Sequence, residues 1–173
     1  MAEVIIHHLN GFRLSPKGPH LRDHVRPLLR QTRNYLENYD RTTLFYDCVY
    51  IERERGHLFT APRFLNLWDL FRKGLRRNGR KVKRVLRFTW LRFEQIFVPG
   101  PRDGLTLKIG KDTYPMPGRS SYAGSFAGLN ALVAVSKNNH LDWIRDWAQF
   151  HATDHGTNGV VLFDNGSTDY TVD

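Results

Sequence analysis

Two short apolar runs, Ala131-Leu132-Val133-Ala134-Val135 and Val160-Val161-Leu162-Phe163, constrain the fold more than any other feature of the chain. Neither alternates apolar with polar residues, so each predicts a strand buried on both faces. Between them, residues 140–155 repeat apolar side chains at helical spacing. Leu141, Ile144, Ala148 and His151 share one side, and Trp143, Trp147 and Phe150 widen it. Ser136-Lys137-Asn138-Asn139 precedes this helix, with Asn138 or Asn139 as its cap, and Gly156 stands where a left-handed residue would end it. Strand, helix and strand joined by loops this short form a βαβ unit, whose strands are parallel and whose crossover is right-handed. Open parallel sheets bind ligands beyond the carboxyl ends of their strands. Both polar loops, 136–139 and Asp164-Asn165-Gly166-Ser167-Thr168-Asp169, fall on that edge.

The preceding residues read as a mixed region of short strands and helices, giving an α+β chain overall with an α/β end. Val4-Ile5-Ile6 is a short apolar run, and residues 30–39 have a weak helical pattern. Residues 44–51 (LFYDCVYI) are β-branched and aromatic and predict a strand, which turns at 52–56 and pairs with 57–60. Leu105 to Ile109, Gly110-Lys111-Asp112 and Thr113-Tyr114 read as a β-hairpin. Residues 115–128 hold two prolines and three glycines, and the domain boundary is placed there, with 1–120 before it and 121–173 after it.

Charge is concentrated in one stretch. Between Arg63 and Arg92 stand eleven basic residues and one acid, Asp69, so this stretch carries +10 of a chain whose net charge is +9. Within it Phe64, Leu67, Trp68, Phe71 and Leu75 recur on one helical face, flanked by Arg72, Lys73, Arg76 and Arg77. Asn78-Gly79 breaks the pattern; beyond it, Phe88, Trp90 and Arg92 alternate with Arg87, Leu91 and Phe93 in either a strand or a second helix. Such a helix packs its aromatic face on a core, lies on an anionic membrane surface through Arg72, Lys73, Arg76 and Arg77, or meets nucleic-acid phosphates. No RNA-binding signature or zinc-finger spacing supports the last of these.

Several chemistries are poorly supported. Cys48 is the only cysteine, so no internal disulfide can form. His151 and His155 stand at i, i+4, but the glutamate of a metalloprotease helix and an evident third ligand are missing. No Gly-rich phosphate loop or Ser/His/Asp order stands out. The first residues lack the pattern of a secretory signal, and no apolar run approaches the ~20 residues of a membrane span. A cytoplasmic location is expected, peripheral at most to the inner face of a membrane.

The strand ending in SKNN, the helix bearing DW..FH, the glycine after it and the strand running into LFDNGSTDYT together resemble the opening of a GT-A glycosyltransferase domain. The likeness is to the family 2 and family 92-like enzymes of bacterial surface polysaccharide synthesis. It covers residues 129–173, about a quarter of the chain. The resemblance implies the first βαβ unit of a Rossmann-like nucleotide-sugar-binding domain. In it, Asp164 would contact the base, Ser136, Lys137 and Asn138 would line the nucleoside pocket, and Asn165, Ser167 and Asp169 would complete the second loop. It also implies an inverting transfer from a UDP- or GDP-linked donor, and a divalent metal, manganese or magnesium, on a later D-x-D motif. Two features depart from the family: Asn139 replaces the usual glutamate, and no D-x-D occurs in the sequence. The expectation is an N-terminal fragment of a longer transferase, inactive alone. The alternative is a non-catalytic basic module for anionic membrane surfaces or RNA.

Overall fold

A computed structural model describes residues 5–170. Of the apolar run Val4-Ile5-Ile6, Val4 lies outside the described residues, and Ile5 and Ile6 are exposed and in no strand. A short strand β1 (Phe12–Arg13) is followed by one turn of 3₁₀ helix, Leu28–Arg30, and by a single helical turn, α1 (Tyr35–Asn38). The helix expected over 30–39 is thus shorter than its pattern. The aromatic run beyond it is extended but divides at Tyr46 into β2 (Thr43–Phe45), which pairs with β1, and β3 (Asp47–Ile51). β3 turns into β4 (Gly56–Pro62), and the two pair antiparallel as expected.

The basic stretch does not form one long helix. α2 (Leu67–Gly74) stops at Gly74, and β5 (Leu75–Arg77) begins at the next residue. Leu75, Arg76 and Arg77 therefore lie on a strand and not on the expected helical face. The reason is tertiary: Leu75 pairs with Leu107 and Arg77 with Leu105, bonds a helix could not make. Asn78 and Gly79, with φ of 49° and 76°, form a two-residue hairpin turn into β6 (Arg80–Lys81). Beyond lie β7 (Leu86–Thr89) and β8 (Phe93–Pro99), so the alternating aromatics are strands of a hairpin. β9 (Leu105–Ile109) and β10 (Asp112–Pro115) form the expected hairpin, and β11 (Arg119–Ser120) closes the region.

Residues 8–121 are one compact unit, built on a five-stranded sheet of order β11-β3-β4-β8-β7 and a four-stranded sheet of order β10-β9-β5-β6. The core gathers Phe45, Cys48, Phe59, Phe71, Ile96 and Leu107, with the rings of Phe59 and Phe71 meeting edge to face at 5.2 Å. Arg22 is 2% exposed in this unit, and its guanidinium donates to the carbonyls of Asp40, Thr43 and Arg63. Three carbonyls are met by one planar fork, a geometry that lysine cannot reproduce. Buried Glu94 takes Arg87 at 2.8 Å and Arg63 at 3.3 Å.

Residues 5–7 and 122–170 form the second unit, so the first few described residues group with the end of the chain and not with the 1–120 region in which they were expected. Here β12 (Ala131–Ser136), α3 (Leu141–His155) and β13 (Gly159–Asp164) follow in the expected order, and the two strands pair parallel from Ala131–Gly159 to Ser136–Asp164. Gly156 ends α3 with a φ of 61°, where a side chain would be strained. His140 occupies the N-cap position, which neither Asn138 nor Asn139 fills. The strands are not buried on both faces. α3 lies along the face bearing Ala134, Ser136 and Leu162, whereas Val133 and Val135 on the other are 67% and 68% exposed. Among the described residues no helix is long and apolar enough to cross a membrane.

His57 in the first unit is fully buried between Tyr50 and Phe59, and neither ring nitrogen has a hydrogen-bond partner. Burial, reinforced by the Arg77 charge, pushes its pKa down from 6.5 to about 4, offset only in part by nearby carbonyls of Pro117 and Arg102. The unfolded chain therefore takes up this proton before the folded one does. The contribution is intact above pH 6.5 and is lost as pH falls from there toward 4. Denaturant unfolding across that window should show an added slope approaching about 1.4 kcal/mol per pH unit. His57→Phe should flatten that slope, and an unchanged slope in the variant would contradict this assignment.

Candidate functional site

Where β12 and β13 end, the two polar loops meet. Asn138 has a left-handed backbone, φ 53°, a conformation asparagine tolerates better than most residues. Its backbone N–H donates to Ser167 Oγ at 3.0 Å, and its side chain accepts from the Thr168 N–H at 2.7 Å. The same amide donates to Thr168 Oγ1 at 3.1 Å. The Asn165 N–H donates to the Ser136 carbonyl at 2.8 Å. Ser136, buried just below, receives the Asn139 amide on its Oγ at 2.9 Å.

Asp164 organises the second loop. Its carboxylate accepts from the Gly166 N–H at 3.2 Å, from the Ser167 N–H at 3.1 Å and from the Ser167 hydroxyl. These bonds, with the Ser167 hydroxyl foremost and the charge of Lys137 contributing, hold its pKa below the ordinary carboxylate value although the group is exposed. The Ser167 N–H also reaches the other carboxylate oxygen at 3.3 Å, so each oxygen takes two bonds from within the loop. The Tyr170 hydroxyl lies 3.1 Å from Ser167 Oγ, and Asp169 accepts from Thr168 Oγ1 at 3.2 Å.

Ser136, Asn138, Asp164, Asn165 and Ser167 are thus brought together, with Lys137 acting through its charge and Asp169 at the margin. Thr168, a central member of the latch, stood inside the recognised loop without being singled out. Asn139, whose amide holds Ser136, stands where a glutamate could not donate this bond. Beside the loops lies a cleft of about 270 Å³, lined by Ala134, Ser136, Asn139, Trp143, Trp147 and Leu162. Trp143 is 69% exposed, so its helical spacing marks no core residue.

Among the described residues no three His, Cys, Asp or Glu side chains gather where they could hold a metal ion. The four basic residues singled out for a surface are mostly engaged within the first unit. Arg72 donates to the carbonyls of Val82 and Lys83, Lys73 pairs with Asp69 at 2.7 Å, and Arg76 donates to the carbonyls of Lys73 and Leu75. Arg77 is half-buried against the Pro99 carbonyl, and burial lowers its pKa. Gly100 makes room for it, since a Cβ there would lie 1.6 Å from Arg77 Nη1.

No family model, no curated protein and no solved structure matches the chain. The chemistry of this edge is therefore read from its own geometry.

If Asn138 latches the loops, its loss should loosen both. Asn138→Gly keeps the left-handed backbone accessible and removes only the side-chain bonds. Amide exchange at Thr168 should then quicken by about tenfold, the worth of roughly one net hydrogen bond. Exchange at the wild-type rate would show that the loops hold without the latch.

Proposed function

We propose that residues 131–169 are the nucleoside-binding opening of a GT-A, Rossmann-like domain, and that the chain serves a nucleotide-sugar-dependent glycosyltransferase of surface glycan synthesis. The observation that carries this reading is the joining of the two loops at the carboxyl edge of a parallel pair, where open α/β sheets take their ligands. A uracil edge presents one N–H between two carbonyls. The Asp164 carboxylate suits that N–H by giving up one of its loop bonds, and loop amides suit the carbonyls. A guanine edge offers a carboxylate two N–H donors beside one carbonyl, so a GDP-linked donor suits the same groups as a UDP-linked one.

The exposed apolar face of β12 and β13 supports the same reading. Val133, Val135 and Phe163 are side chains of a kind that a further layer covers in doubly wound folds. Transfer itself needs charge neutralisation at the leaving diphosphate and a base for the acceptor hydroxyl. Neither function is assigned to these residues, and the described part of the chain is expected to bind without turnover.

Titration with UDP, followed by amide chemical shifts, tests the reading. Changes should concentrate at Ser136, Lys137, Asn138 and Ser167, with millimolar affinity, and Asp164→Asn should weaken binding by about tenfold, as expected for a hydrogen bond to a charged group. GDP is expected to shift the same loops. Absence of shifts at these loops with either nucleotide would overturn the assignment.

A further inference from the structure

Five exposed apolar side chains of the first unit, Leu86, Phe88, Trp90, Leu91 and Phe93, lie together on one hairpin, whereas Leu9, Val25, Leu28, Leu29, Leu36 and Tyr46 are exposed outside it. β7 is the edge strand of the five-stranded sheet, and its pairing sets Leu86 opposite Phe97 and Phe88 opposite Gln95. These positions alternate with Glu94, Ile96 and Val98, which are buried, so Leu86, Phe88 and Phe93 belong to the outward face. Trp90 stacks on Phe93 at 6.0 Å and 22°, and its N–H closes the turn onto the Phe93 carbonyl at 2.9 Å. That turn leaves Leu91 at its tip, 87% exposed. Water contact at five large apolar side chains on one hairpin is relieved only by a surface laid against them.

The charges around this strip have one sign. Arg80, Lys81, Lys83 and Arg84 precede it, and Arg92 sits in its turn. All five are exposed, and none takes part in an ion pair among the described residues. Residues 80–92 contain no acid, and the following one, Glu94, is buried against Arg63 and Arg87. The four residues of β7 span about 14 Å at roughly 3.4 Å each. Cations therefore bracket the apolar strip at both ends, close enough for both groups to meet one plane.

We propose that this hairpin docks the chain on an anionic lipid surface. Trp90 and Leu91 enter the boundary between headgroups and acyl chains, and Lys81, Lys83, Arg84 and Arg92 meet the headgroup charges. A lipid fits better than a single-stranded nucleic acid, because Leu86 and Leu91 offer no ring on which a base could stack. The inference stands on the first unit alone and does not depend on the nucleotide reading of the second.

The test is co-sedimentation of the whole chain with vesicles of phosphatidylcholine, with and without phosphatidylglycerol. Binding is expected to the anionic vesicles only, and to weaken with salt. Replacing Lys81, Lys83 and Arg84 together by Ala should lower the partition by about a hundredfold. Trp90→Ser with Leu91→Ser should lower it by at least about tenfold while leaving the fold intact, because both side chains are exposed. Arg53→Ala, at the opposite end of the sheet, should bind as the unaltered chain does. The proposal is overturned by equal binding to both vesicles, by undiminished binding of the serine variant, or by binding to oligouridylate with none to vesicles.

Discussion

The register of one parallel strand pair is the constraint on which the candidate site depends. Parallel strands cannot be joined by a tight turn, so the chain must cross over through α3, and that crossover returns both loops to the same edge. Asparagines pin the register at both ends. At the start, the Asn130 N–H donates to the Asn158 side chain at 2.7 Å, and the Asn158 N–H returns to the Asn130 carbonyl at 3.0 Å. At the finish, Asn138 holds Thr168. A slip by one residue would break both pairs and turn Ser136 and Asp164 to the opposite face.

The first unit answers a different requirement, which is to fold beneath a dense positive charge. Part of that charge is spent structurally. Arg22 gathers three carbonyls, Arg63 and Arg87 neutralise Glu94, Arg72 holds the carbonyls of Val82 and Lys83, and Arg76 those of Lys73 and Leu75 at the end of α2. Arg87 also lies 4.2 Å over the Trp68 ring, where the aromatic face favours a cation. Arg80, Lys81, Lys83, Arg84 and Arg92 take part in no ion pair among the described residues and stand next to the hairpin that exposes its aromatic and aliphatic side chains. A net charge alone does not distinguish the two uses; partners in the fold do.

Much of this was legible where the determining interactions are local. The βαβ unit, the β3–β4 hairpin and the β9–β10 hairpin follow from periodicity and turn residues within short windows. α2 was legible in its apolar spacing but not in its end, because the switch at Leu75 is imposed by β9, some thirty residues away. Apolar runs suggested that β12 and β13 are doubly buried, yet burial depends on what packs against them, and α3 covers only one face. Arg22 and His57 carried no local mark, since a buried arginine is recognised only by the distant carbonyls it meets. At the site, the loop residues were legible by type, whereas the bonds from Asn138 to Thr168 required the two strand ends to be brought together.

The central claim is that the edge formed by residues 136–139 and 164–169 receives the nucleoside of a sugar nucleotide. Photolabelling with 5-azido-UDP, followed by mapping of the modified peptides, tests it most directly. The label should fall on the peptides carrying Lys137 and Tyr170 and be displaced by excess UDP. Label spread over the first unit, or label at these loops that UDP does not displace, would contradict it.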